Sequence, residues 1–243
     1  MSIQKPLKIS DINIDNIVYT KIKKSKNNRI IYIKYQDKNK LKNFVFQTPS
    51  LLSVFSPIKH ENYYDLDFNL DFKDKDKGNL FINFLESIDK KIIYDASINS
   101  HLWFDSLDIE NKEVLHKSII REDEECKNGV LKLNIVKTPE FETVLKLDQK
   151  IININEIKDN LWCKMILECY AIVISNDLKL SLYIRPIILS FKTIEVINYN
   201  YEFYDDSDDD VDSDVNNLFI KKMDLSNEDK QEEEYISSTT SDE

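Results

Sequence analysis

Residues 17–47 read Ile17-Val-Tyr-Thr-Lys-Ile-Lys-Lys-Ser-Lys-Asn-Asn-Arg-Ile-Ile-Tyr-Ile-Lys-Tyr-Gln-Asp-Lys-Asn-Lys-Leu-Lys-Asn-Phe-Val-Phe-Gln47. Three runs of β-branched and aromatic residues are separated by polar turn clusters at 25–28 and 36–40. This predicts a β-meander whose side chains alternate between two faces. Alternation puts Tyr19, Lys21 and Lys23 on one face and Ile22 on the other. Residues 1–50 hold eleven Lys and Arg against three Asp, a local balance of +8 on a chain whose formal net charge is −11. The cations Lys21, Lys23, Lys24, Lys26, Arg29, Lys34 and Lys42 stand among the rings Tyr19, Tyr32, Tyr35, Phe44 and Phe46, so the stretch predicts a cationic, aromatic surface.

Outward from this stretch, 243 residues with 42% hydrophobic content suffice for one substantial core and a tail. Charge divides the chain. Residues 199–243 carry sixteen acids and three lysines, a balance of −13, and residues 1–198 carry twenty-eight acids and thirty bases, a balance of +2. We read 1–16 as an N-terminal lead-in, 17–198 as the folded domain and 199–243 as a tail too charged to bury a core, hence disordered. Asp205, Asp206, Asp208, Asp209, Asp210, Asp212 and Asp214 crowd one ten-residue window of that tail. Leu218-Phe219-Ile220 is an apolar island within it.

Several function classes fall away on composition. Cys126, Cys163 and Cys169 are odd in number and lack CxxC spacing, which argues against a disulfide framework or thiolate metal site and fits a reducing, intracellular compartment. Gly78 and Gly129 are the two glycines of the chain, too few for a phosphate-cradling Gly-rich loop. No apolar run reaches the length of a membrane span and the N-terminus lacks a signal-peptide core, so neither membrane nor export is expected.

Further along, Thr48-Pro49 is expected to end the third strand, because proline donates nothing to a ladder. Residues 62–72 alternate cleanly, with Tyr64, Leu66, Phe68, Leu70 and Phe72 on one face and Asp65, Asp67, Asn69 and Asp71 on a wet one. Residues 79–94 shift to helical spacing through Phe81, Phe84, Leu85, Ile88 and Ile92. A weaker helix is expected over 106–117, and strands over 129–136 and 142–147. The apolar run 161–174 suits a central strand. Beyond it, Arg185-Pro186 is expected to separate strands at 178–184 and 187–199. The pattern predicts a mainly β (α+β) fold, an antiparallel barrel or sandwich with helices inserted in the middle.

His60, His101 and His116 share no ligand spacing with one another or with the cysteines, and no nucleophile and base converge, so the chain reads as a non-enzyme without a cofactor. Lysines displace counterions along a phosphate backbone and exposed rings stack on unpaired bases, the combination used for single-strand binding. The plainer reading is a half-buried strand, ring to the core and lysine to water. A tethered acidic tail adds weight to the first, since a polyanion beside a cationic groove competes for it. Two alternatives remain, a virion or scaffold interaction protein and a metal-dependent nuclease.

Thr48-Pro49-Ser50-Leu51, Tyr63-Tyr64-Asp65-Leu66-Asp67-Phe68, Asn99-Ser100-His101-Leu102-Trp103-Phe104 and the run 172–192 resemble the single-stranded DNA-binding proteins of large nucleocytoplasmic DNA viruses, of the giant-virus and asfarvirus type. The poxvirus single-strand binder, which also ends in an acidic tail, is similar more distantly. The resemblance covers about residues 30–195. It implies an OB-fold-like core and binding of exposed DNA strands in viral replication, repair or recombination, within a replication factory in the host cytoplasm and with packaging in the virion as a further expectation. The tail would engage viral replication proteins, with Phe219 in its docking island. The run 178–184 lacks the tryptophan and glycine expected of that family's last strand, so only Tyr183 and Arg185 carry over from it as DNA-contacting residues.

Overall fold

A computed structural model of the chain describes residues 5–25, 27–72, 74–104 and 114–193. The chain divides into two units, Met1–Glu195 and Val196–Glu243, and the second lies outside the described residues, as do Lys26 and the tail residues singled out above, Asp205 to Asp214 and Phe219. In chain order the first strands are β1 (Ile17–Lys24), β2 (Asn28–Asp37), β3 (Lys40–Lys42), β4 (Val45–Ser53), β5 (Ile58–Lys59) and β6 (Tyr63–Asn69), followed by helices α1 (Lys75–Ile98) and α2 (Ser100–Trp103). Then come β7 (Leu115–Lys117), β8 (Ile120–Arg121), β9 (Val130–Thr138), β10 (Phe141–Glu142), β11 (Val144–Leu147), β12 (Lys150–Ile151), β13 (Trp162–Ser175) and β14 (Lys179–Lys192). The fold is mainly β and OB-fold-like, an antiparallel-dominated sheet with few helices, as the sequence predicts.

β13 is the central strand. It pairs with β14 along its length, with β4 through its first half (Trp162↔Leu52 to Glu168↔Val45) and with β2 through its second (Ala171↔Tyr32 to Ser175↔Asn28). The meander expected over 17–47 is therefore shorter than predicted. β1, β2 and β3 form it, but β4 leaves β2 and joins the other half of β13, and the sheet continues through β6 to β9. Residues 5–16 line this body, where Leu7 bridges Phe46 in parallel and Ile9, Ile12 and Ile14 pack on the core.

Two prolines lie inside strands that they were expected to end. β4 runs through Pro49 because its ladder with β13 slips between Lys164 and Ile166. Thr48 Oγ1 accepts the Met165 N–H at 3.2 Å, and it donates to the Pro49 carbonyl at 2.7 Å. A side chain thus takes the place of a ladder partner, and the missing proline donor falls in a bulge. β14 runs through Pro186 at a second slip, between Ile166 and Leu167, so the two strands expected there are one. Of the helix expected over 106–117, the last residues instead form β7, which pairs parallel with β14 at Lys179 to Ser181. Ladder hydrogen bonds to an existing strand outweigh the weak helical propensity of that segment.

α1 begins at Asp74, whose side chain accepts the Lys77 N–H at 3.2 Å, and it extends the predicted helix by one turn at each end. Phe81, Phe84, Leu85, Ile88 and Ile92 are buried on one face, as their spacing predicts, and Phe84 meets Phe46 edge-on with centroids 5.0 Å apart. The aspartate face of β6 is not wet throughout: Asp65 is buried, with its Oδ2 held by Lys132 and by His60 Nε2.

Gly78, in the first turn of α1, lies against Phe72. A Cβ there would stand 2.5 Å from Phe72 Cδ2 and 2.7 Å from Phe72 Cβ. The Phe72 Cβ is tied to its backbone and cannot swing clear. Gly78→Ala should therefore lower stability by about 1–3 kcal/mol, although alanine alone favours a helix by ~1 kcal/mol. A urea titration reads this as a lower midpoint, and an unchanged or raised midpoint would refute it.

Candidate nucleic-acid interface

Between Cys169 and Ala171 the β13–β14 register slips by one residue. Cys169 pairs with Ile184 and Ala171 with Tyr183, leaving Tyr170 with no partner on β14. At the same point β13 passes from β4 to β2, so Ala171 stands directly between Tyr183 on one side and Tyr32 on the other. Directly paired residues share a face, and the bulge turns Tyr170 onto that same face. Its ring meets Tyr32 edge-on (centroids 5.4 Å, 89°) and Tyr183 edge-on (6.1 Å, 83°). Ala171 contributes only a methyl group, leaving room for three phenols above it.

Arg185 completes the cluster. Its guanidinium carbon lies 4.0 Å from the Tyr170 ring centroid and 4.2 Å from that of Phe141, so the cation is held between two rings. Glu168, buried one pair along the ladder, accepts from Arg185 Nε at 3.0 Å and from Nη2 with the same Oε2. Tyr32, Tyr170, Tyr183, Phe141 and Arg185 are all half-buried, packed on one side and open on the other. Burial, above all, raises the phenol pKa of Tyr170 and of Tyr183. Both remain neutral hydrogen-bond donors at physiological pH, with ring faces able to stack on a planar base.

No protein-family model matches the chain, and no curated protein is similar to it in sequence. Solved structures similar to this chain include two single-stranded DNA-binding proteins of bacteriophages. One is gp2.5, a single-stranded DNA-binding protein encoded by bacteriophage T7, at 8% identity and a TM-score of 0.44 over 65% of this chain and 98% of that one. The other is the single-stranded DNA-binding protein from bacteriophage Enc34, at 13% identity and a TM-score of 0.35 over 78% of this chain and 100% of that one.

The structure redistributes the residues of the 17–47 stretch. A register slip between Tyr19 and Ile22 breaks the expected alternation, so Tyr19 and Ile22 both pack on the core while Lys21 and Lys23 are exposed. Tyr19 donates its hydroxyl to Asp95 Oδ2 at 2.6 Å and meets Trp103 edge-on at 4.8 Å. Burial first, and then Asp95, push its phenol far above the usual tyrosine range. Arg29 is buried, its Nη1 donating to the Trp103 carbonyl at 3.0 Å. Tyr35, Phe44 and Phe46 are core residues, with Tyr35 stacked on Phe44 at 5.2 Å. Arg29, Tyr35, Phe44 and Phe46 are thus buried, and Tyr19, half-buried, packs against the core and Trp103. Lys24 is exposed, Lys34 donates to Asn43 Oδ1, and Lys42 pairs with Asp37 at 2.7 Å.

Tyr32, Tyr183 and Arg185 come together in the cluster, joined by two residues that sequence reasoning missed. Tyr170 had a signal: Lys164, Glu168 and Tyr170 share parity within an otherwise apolar run, marking its outer face. Phe141 had none, because only the β9–β10 hairpin carries it over Arg185.

Tyr19→Phe tests this redistribution. It should cost about 1–3 kcal/mol of stability through removal of the hydrogen bond to a charged acceptor and leave oligonucleotide affinity unchanged. A variant with normal stability and weakened binding would return Tyr19 to the surface.

Proposed function

We propose that the chain is a non-enzymatic single-stranded DNA-binding protein, with bases stacking on Tyr170, Tyr183 and Tyr32. Lys21 and Lys23, exposed on β1 next to the strand that carries Tyr32, meet phosphates. The observation that carries this reading is the ring cluster at the β13 bulge, where Tyr170 meets Tyr32 and Tyr183 edge-on and, with Phe141, holds the Arg185 guanidinium between two rings on the outer face of the sheet. A core does not require that arrangement, since these rings lie outside the buried cluster that α1 and the inner faces fill. Stacking on aromatic side chains is worth roughly 1–3 kcal/mol per base and tolerates any sequence.

The resemblance noted in the sequence extends the proposal to replication, recombination or repair in a large DNA virus, in a replication compartment of the host cytoplasm. On charge alone it extends further, to the acidic tail as a competitor for the cationic surface and a recruiter of replication proteins. A competitor tethered to the surface that it binds acts at an effective concentration on the order of mM.

Fluorescence titration with oligothymidylate tests the core of the reading. Tyr170→Ala and Tyr183→Ala should each weaken binding by roughly 5- to 150-fold, the equivalent of about 1–3 kcal/mol. Lys21→Ala with Lys23→Ala should lower the salt slope by about 0.7 for each phosphate no longer neutralised. Wild-type protein that leaves oligothymidylate unbound at low salt would point to a structural interaction protein instead.

The tail makes a separate prediction. Truncation after Tyr199 should tighten binding, most visibly at low salt where attraction is least screened. Equal affinities of the truncated and full-length chains would reduce the tail to a solubility device.

A further inference from the structure

β9 and β14 border each other, yet no ladder joins them among the described residues, and the sheet is left with an open seam. β7 is bonded to β14 on one side of the seam, and β8 is bonded to β9 on the other. The two-residue link between them, Ser118-Ile119, is fixed by the buried Asp89 of α1. That carboxylate accepts from Ser118 Oγ, from the Ile119 N–H and from His116 Nε2, each at 2.9 Å. Lys117 and Arg121, which flank the link, are thereby presented to one cleft of about 240 Å³, together with Lys132 of β9.

Every charged side chain lining that cleft is cationic, and Ser181, Asn134 and Tyr183 add polar groups. Lys132 shares its charge with Asp65. Lys117 and Arg121 form no ion pair among the described residues. Desolvation, and then the charges of Arg121 and Lys132, depress the Lys117 pKa, and Asp65 opposes this only in part. Like charges gathered at one seam repel one another; Asp65, paired with Lys132, and Asp67, which acts on Lys132 and Arg121, offset this, and a further anion would relieve the repulsion that remains at Lys117. A guanidinium and two ammonium groups suit the several oxygens of a phosphate better than the two of a carboxylate.

We infer that the β9–β14 seam is a phosphate-binding site, which continues the proposed DNA track past Tyr183. Tyr183 lines the cleft and also borders Tyr170 in the ring cluster, so a base on the cluster and its neighbouring phosphate in the seam are contiguous. This inference rests on the single-strand reading for its ligand but not for its chemistry. Inorganic phosphate alone should occupy the cleft.

The test uses the full chain and the double variant Lys117→Met with Arg121→Gln, which keeps bulk and removes charge. At constant ionic strength, inorganic phosphate should raise the wild-type melting temperature and shift the amide resonances of Lys117, Arg121 and Tyr183. The double variant should melt at or above the wild-type temperature without phosphate and gain nothing from it. Its salt slope for oligothymidylate should fall by about 1.4, two phosphates at about 0.7 each. Equal affinity for oligothymidylate with and without a 5′-phosphate marks an internal phosphodiester as ligand, and preference for the phosphorylated strand marks a terminal one. A double variant that retains both the phosphate response and the full slope overturns the site, as does wild-type protein whose resonances ignore phosphate. Failure of the seam and failure of the single-strand reading give different results. Tyr170→Ala should lose oligonucleotide affinity and keep the phosphate response, whereas a phosphate response in a protein that binds no oligonucleotide would sink the single-strand reading and leave the seam standing.

Discussion

A one-residue slip in the ladder of β13 governs the outer face of this protein. A regular strand would send Tyr170 to the opposite side from Ala171 and keep one pair of neighbours throughout. The slip at Tyr170 ends pairing with β4, begins pairing with β2, and brings a third phenol to the side that already carries Tyr32 and Tyr183. Bulges bend the strand that bears them and re-aim one side chain. Here that side chain meets both neighbouring tyrosines and covers the Arg185 guanidinium.

Buried charges supply the rigidity around it. Glu168 holds Arg185, Asp95 holds Tyr19 and Lys91, and Asp89 holds the link between β7 and β8. Each carboxylate lies inside the body and accepts from at least one group remote in sequence. Removing one partner of such a set leaves a buried charge uncompensated, which is costlier than never having made the pair. These interactions therefore fix geometry, and the rings and cations they position are held ready before any ligand arrives. The cysteines contrast with them. Cys163 and Cys169 are buried, and burial pushes both thiols up, so they serve as small apolar fillers.

Local periodicity and composition were enough for part of this architecture. The apolar stripe of α1, the alternation of β6, the central place of β13 and the mainly β class all follow from spacing, because a helix or strand buries residues at its own period. Charge asymmetry between body and tail is equally legible, as is the cationic character of Lys21 and Lys23. Tertiary structure alone decided where regularity breaks. Slips at residues 19–22, 48–49, 170 and 186–187 each depend on which strand lies alongside, and a slip of one residue exchanges the faces of all that follow. Which face of each strand meets the core was likewise a tertiary decision: Arg29, Tyr35, Phe44 and Phe46, which composition placed on a surface, are buried and Tyr19 packs on the core, while Phe141 is carried out over Arg185. Lys117, Arg121 and Lys132 also converge through tertiary structure. No local pattern links three cations on three strands, and only the seam left by an unclosed sheet brings them to one cleft.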